Sequence, residues 1–210
     1  MREDSSGHRD KTITVFYEDE SLLVCFKPRG ILSCKDASGK LSMEDQLLPR
    51  KIYPVHRLDK EAMGLMVFGK TKEAAACLSA QMGEGFEKEY LARCEGFPPQ
   101  EGEFSDLLYH DRFKNKTYTV KRKRAGVKEA RLSYKVLSQE ETTSLVRVRL
   151  YTGRTHQIRV QFASRGFPLM GDKKYGAKIG GALQLCSCRL AFRHPDGNEL
   201  DFSLPEEFCL

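Results

Sequence analysis

Three groups of side chains in this sequence have the types and spacing for chemistry. The stretch His56, Arg57, Leu58, Asp59 puts a carboxylate directly behind a guanidinium and an imidazole, and Gly64 with a short apolar run follows it. Opposite charge close by lowers a carboxylate pKa, so Arg57 gives Asp59 a reason to stay ionised. A carboxylate held in that way is either a nucleophile or one half of a structural ion pair. Further on, His156 and Arg159 stand three apart in a helix-forming stretch and so share a face, which makes Arg159 a second cation for Asp59 if the fold joins them. Between the two, Tyr90 falls on the inward phase of the alternating segment Glu87 to Gly96. A hydrolase built on Asp59 and His156 is disfavoured, because no oxyanion site or nucleophile elbow accompanies them. Both histidines read more simply as hydrogen-bonded scaffold.

The composition narrows the setting for these groups. With 210 residues one core is the better expectation: a polar tail at 1–11 and a single domain at 12–210. A formal charge of +6 favours a polyanionic partner without requiring one. The seven cysteines are an odd number scattered through apolar segments, which predicts buried, reduced thiols and a cytoplasmic setting rather than a disulfide framework. Cys186 and Cys188 lack zinc-knuckle spacing, so no metal is assigned. The first residues are charged and no apolar run approaches a membrane span, so a soluble protein is expected.

The elements that must position the candidates follow from periodicity and punctuation. Residues 12–27 read as a hairpin, with Ile13, Val15 and Tyr17 alternating before an acidic turn. Lys27 to Lys40 should be a loop that reaches the substrate, and Ser42 should start a short helix ending at Pro49. His56 to Asp59 then lie on a turn leading into a buried strand, Gly64 to Phe68. Thr71 is a candidate N-cap for a helix through Met82 whose apolar face is Ala74, Ala75, Leu78 and Met82. The basic run Lys121, Arg122, Lys123, Arg124 suits a solvated hairpin tip, ahead of a strand pair at 130–137 and 144–151. Thr155 is the expected cap of a helix to Arg165. A strand at 183–192 and a last hairpin turning at Pro195 to Asn198 complete an α+β domain, mainly antiparallel, with a few short flanking helices.

Taken in order, HRLD at His56 to Asp59, KEY at Lys88 to Tyr90 and GRTHQIRV at Gly153 to Val160 resemble the motifs of the RluA family of pseudouridine synthases, and the closing LQLCSCRLAF and HPDG resemble that family's C-terminal pattern. The resemblance spans roughly residues 12–205. It implies the pseudouridine synthase fold, a cofactor-free isomerisation of uridines in structured ribosomal or transfer RNA, and a monomeric protein with no DNA or membrane partner. Asp59 would be the nucleophile, Arg159 its paired cation, Tyr90 the ring packed on the target uracil and Leu185 an apolar wall. Arg57 would stack in the gap left by the flipped nucleotide, with His56 beside it. Arg154 and Lys121 to Arg124 would hold phosphates, as would Lys114, Lys116, Lys173 and Lys174. The chain departs from the family pattern at Ala62, Met63, Ala182, Cys186 and Ser187, which bears on the hydrogen bonding behind Asp59 and on RNA preference. A catalytically inactive RNA-binding or ribosome-assembly protein of the same fold is the alternative.

Overall fold

A computed structural model describes residues 13–205 and residue 208. The elements in chain order are β1 (Val15–Glu18), β2 (Leu22–Lys27), α1 (Met43–Gln46), β3 (Tyr53–Pro54), β4 (Met63–Gly69), α2 (Lys72–Ala80), β5 (Glu87–Glu95), β6 (Glu101–Asp111), β7 (Lys116–Val120), β8 (Val127–Glu140), β9 (Thr143–Leu150), α3 (Gln157–Ala163), a 3-10 turn (Lys173–Tyr175), β10 (Leu185–Arg193) and β11 (Glu199–Ser203). The strands form one sheet in the order β1-β2-β4-β10-β5-β9-β8-β6-β7, with β3 added to β4 and β11 to β10. Pairing is antiparallel except between β4 and β10. The expected α+β class, dominated by antiparallel strands, is the one found.

The sheet has two faces, and sequence alternation divides the core between them. Met66 and Phe68 of β4 join Tyr90, Ala92 and Cys94 of β5 and Ile158 and Phe162 of α3 on one side. Leu65 and Val67 join Leu78 of α2, Leu190 and Phe192 on the other. Burial on both faces explains why Gly64 to Phe68 reads as a continuous apolar run. Gly64 has φ +118, and a Cβ there would come within 2.3 Å of the Ser187 carbonyl oxygen. The parallel contact between β4 and β10, in register at Cys186 with Met63 and Ser187 with Gly64, depends on that missing side chain.

Local signals held where a side chain has one dominant partner. Ser42 caps α1 in a reciprocal box with Asp45, and Thr71 accepts from the Ala74 amide at the start of α2. The last hairpin turns where expected, with His194 N–H donating to the Asn198 carbonyl. Three expectations need correction. Thr155 does not cap α3; His156 takes that position with left-handed φ 54 and no capping side chain, and α3 ends at Ala163. The basic run Lys121 to Arg124 is not a hairpin tip: β7 and β8 are both antiparallel to β6, hence parallel to each other, and 121–126 cross over β6 to join them. Not every thiol is buried: Cys77 on α2 is exposed, and Cys34 is half-buried. Cys25, Cys34, Cys77 and Cys94 are free thiols, and Cys209 lies outside the described residues. No helix among the described residues is long and apolar enough to cross a membrane.

Candidate active site

The turn carrying Asp59 is built by the loop that precedes it in the chain. Ser33 Oγ donates to the Leu58 carbonyl at 2.8 Å and accepts from the Leu58 amide at 2.9 Å, and the Gly30 amide donates to Lys60 O. Lys27, wholly buried at the end of β2, donates through Nζ to the carbonyls of Pro28, Lys60 and Ala62 at 3.0, 3.1 and 2.7 Å. Burial pushes its pKa down to about 8, although Asp59 opposes the shift. The loop expected to reach substrate is thus, at these residues, a clasp around the Asp59 turn. Ala62, a departure from the family pattern, is buried in the core and its carbonyl takes the shortest of the Lys27 bonds. Since main-chain atoms and Lys27 hold the turn, a side-chain change at 62 leaves that support in place.

Within the tetrad the side chains divide. Leu58 is buried, Arg57 is exposed, and His56 Nε2 accepts the Val67 amide at 3.2 Å while its ring packs edge-on to Phe86. Burial, with Lys88 nearby, holds the His56 pKa down to about 3, so the ring is neutral and Nε2 is free to accept. Its Nδ1 is buried without a hydrogen-bond partner among the described residues. His56 is a scaffold residue that ties the turn to β4.

Asp59 turns instead toward α3. Arg159 Nη1 donates to Asp59 Oδ2 at 3.0 Å across a hundred residues of chain, and Asp59 keeps 20% of its side-chain surface exposed. The rest of the guanidinium is occupied: Nε and Nη2 donate to the two oxygens of Asp172 at 2.7 and 2.8 Å. Arg159 and Asp172 are both buried. Burial disfavours the Arg159 charge, but the hydrogen bonds it donates to Asp172 and the nearby charge of Asp59 outweigh it and raise its pKa. A bidentate partner fixes the plane of a guanidinium, so Asp172 sets where Nη1 points.

His156 approaches the same carboxylate from the other side, with Nε2 at 3.9 Å from Asp59 Oδ2. Its Nδ1 lies 2.9 Å from the Tyr175 hydroxyl, which also accepts the Thr117 amide at 2.8 Å. With that amide on its oxygen, the hydroxyl can donate its proton to Nδ1, the tautomer that puts the His156 N–H on Nε2, facing Asp59. Burial lowers the His156 pKa to about 4 against the opposing pull of Asp59. The left-handed backbone at 156 is what lets the residue end a loop and still aim its ring inward. The Tyr175 ring lies 5.2 Å from the Arg159 guanidinium, closing the arrangement.

Tyr90 sits on β5 opposite Ser187 and Val148, buried, with its pKa raised by burial and then by Asp59. Leu185, Leu58 and Tyr90 belong to one apolar cluster. The structure therefore brings Asp59, Arg159 and Tyr90 together, with Leu185 in the same apolar cluster as Tyr90, and adds Asp172, Tyr175 and Lys27, which sequence reasoning missed. The Lys173 to Tyr175 loop was visible only as basic and glycine-flanked; the hundred-residue separation from Asp59 hid its role. The phosphate candidates scatter. Arg154 Nε donates to the Glu129 carbonyl near the start of α3, and Lys123 pairs with Glu129. Arg124 stacks on Tyr109, whose phase on β6 is opposite to that of Leu108 and His110, the residues near α3.

A mixed, mainly antiparallel sheet with a few short helices is the fold class of the pseudouridine synthases that this chain superposes on. The family model described as RNA pseudouridylate synthase matches residues 21–164, and the chain belongs to that family, within its RluA branch. It is 34% identical to the dual-specificity RNA pseudouridine synthase RluA of Vibrio cholerae, over 89% of this chain and 80% of that one. It is 33% identical to ribosomal large subunit pseudouridine synthase D of Zymomonas mobilis over 74% of this chain. The chain spans about half the length of several curated relatives it matches, 54% in that case. The solved structure of human RNA pseudouridylate synthase domain containing 4 superposes with a TM-score of 0.77 at 25% identity, covering 93% of this chain and 90% of that one.

Proposed function

We propose that the protein isomerises selected uridines in structured ribosomal or transfer RNA to pseudouridine, with Asp59 as the nucleophile. The observation that carries this reading is the 3.0 Å pair between Asp59 and Arg159, a carboxylate still one-fifth exposed beside the buried Tyr90. The reaction breaks the bond from ribose C1′ to uracil N1, turns the ring and joins C1′ to C5, while the C5 proton is lost and N1 gains one. A carboxylate that attacks the base holds the uracil and one that attacks C1′ holds the sugar until the two rejoin, while one that assists elimination takes up a ribose proton and returns it. Arg159 pairs with Asp59 and aims it, and Asp172 keeps Arg159 in plane. Tyr90, whose pKa is raised further by burial, stays protonated and offers its ring as a surface for the uracil. The target nucleotide has to be flipped out of its stack at a cost of a few kcal/mol, and in this reading Arg57 fills the gap, which its exposure on the same turn supports. The residues Lys114, Lys116, Lys173, Lys174 and Arg154 would carry phosphates and make binding salt-dependent.

The test is whether the purified protein forms pseudouridine in RNA taken from a strain without its gene. Product at defined positions supports the reading. Tight RNA binding with no product would instead favour an RNA-binding or assembly protein of the same fold.

A further inference from the structure

The hairpin between β6 and β7 projects Phe113 at its tip with 104% of its reference surface exposed, so nothing among the described residues packs on it. The turn does not need an aromatic residue. The Asp111 side chain accepts the Lys114 amide at 3.0 Å and Asn115 takes the left-handed conformation with φ 44, and these two residues set the reversal. Arg112 and Lys114, on either side of Phe113, are exposed as well. The hairpin is also tied to the candidate active site. Lys174 Nζ donates to the Asn115 carbonyl at 2.9 Å, the Thr117 amide donates to the Tyr175 hydroxyl, and Thr117 Oγ1 donates to the Thr155 carbonyl at 2.8 Å. Thr117 is therefore one hydrogen-bonded step from the Tyr175 and His156 pair that faces Asp59. From Thr117 to Phe113 the chain reaches at most about 14 Å.

An aromatic face with cations on both sides, held beside a site for a flipped nucleotide, matches the way proteins hold unpaired bases: stacking on the ring and phosphate contacts from its neighbours. We infer that Phe113 is a stacking platform for an unpaired RNA base next to the target uridine. The inference rests on the reading of the Asp59 site as one that acts on RNA. It deepens that reading by requiring a single-stranded nucleotide near the target, because a paired and stacked base has no free face to offer. Lys116, whose Nζ lies 5.4 Å from the Tyr175 ring, would sit under the phosphate between the two bases.

The chain contains no tryptophan, so Phe113→Trp places a single indole at the tip. The probes are an RNA stem-loop with uridines in its unpaired loop and a fully paired RNA duplex of equal length. Saturable quenching of the indole by the stem-loop and not by the duplex is expected. Phe113→Ala should weaken stem-loop binding by about tenfold and leave duplex binding within about twofold. Unchanged emission at saturating stem-loop, or equal stem-loop affinity for Phe113→Ala and wild type, would overturn the inference. Pseudouridine is scored separately in the same samples. Quenching without product would count against the catalytic reading while supporting the stacking site.

Discussion

Arg159 presents Nε and Nη2 to Asp172 in a two-pronged hydrogen bond, and this leaves Nη1 directed at Asp59. Both members of the two-pronged pair are buried, so the geometry at Asp59 is set from behind, by a residue that does not face the opening. An isolated Arg159 could pair with Asp59 in several ways; an Arg159 already held in plane has one direction left.

That relationship makes Asp172 a positioning residue. Asp172→Asn keeps the shape but removes the charge and one acceptor, and is expected to lower kcat by one to two orders of magnitude, roughly the range for lost orientation at a reacting group, with KM little changed. Asp172→Ala should also reduce stability by roughly 3 kcal/mol, because a buried charge pair loses one partner. Single-turnover kinetics and chemical denaturation check the two parts. An Asp172→Asn enzyme with wild-type kcat would show that Arg159 needs no second carboxylate.

His56 predicts how stability depends on pH. Its pKa is about 3 when folded and near 6.5 as the reference value, so between those limits the unfolded chain binds the extra proton. Stability is complete above pH 6.5 and falls as pH drops toward 3, by up to about 1.4 kcal/mol for each pH unit per proton taken up. His156, with a folded pKa of about 4, contributes in the same direction. His56→Gln retains an acceptor for the Val67 amide and removes the titration, so its melting temperature should fall less steeply between pH 7 and pH 4. Parallel curves for the two proteins would remove His56 as a cause.

Arg57 is exposed while its neighbours Leu58 and Asp59 are packed or paired, so its side chain is dispensable for the fold. Arg57→Ala should leave the melting temperature within about 1 °C and lower kcat/KM on RNA by about tenfold or more, the order expected for one lost stacking contact. Arg57→Lys should not restore it, since an ammonium keeps the charge but lacks the planar face. Full rescue by lysine would mean that charge alone is used there.

The parts of this protein that sequence reveals are those governed by neighbours in the chain. The inward alternation of Tyr90, Ala92 and Cys94 and the capping by Ser42 and Thr71 are local facts, and they held, although Lys88, expected to face out, is buried in phase with them. At 97–110 only Phe104 and Leu108 of β6 are deeply buried, too sparse a pattern to mark an eleven-residue strand. Without β6, the basic run after β7 has no strand to cross and reads as a hairpin. At the site, the ordered motifs pointed to Asp59, Tyr90 and Arg159, whereas Asp172 and Lys27 carry no spacing signal. Asp172 is one carboxylate in a glycine-flanked loop, and Lys27 looks like a strand-end lysine until its three carbonyl partners are placed around it.

The central claim is that Asp59 performs the chemistry. Asp59→Asn keeps the size of the side chain and a hydrogen-bond acceptor for Arg159 Nη1, so folding and RNA affinity should stay within a few-fold of wild type. The deciding measurement is pseudouridine formed per enzyme in RNA from a strain lacking the gene. Asp59→Asn is expected to bind this RNA and form no detectable pseudouridine; conversion at the wild-type rate by that variant would rule out Asp59 as the nucleophile.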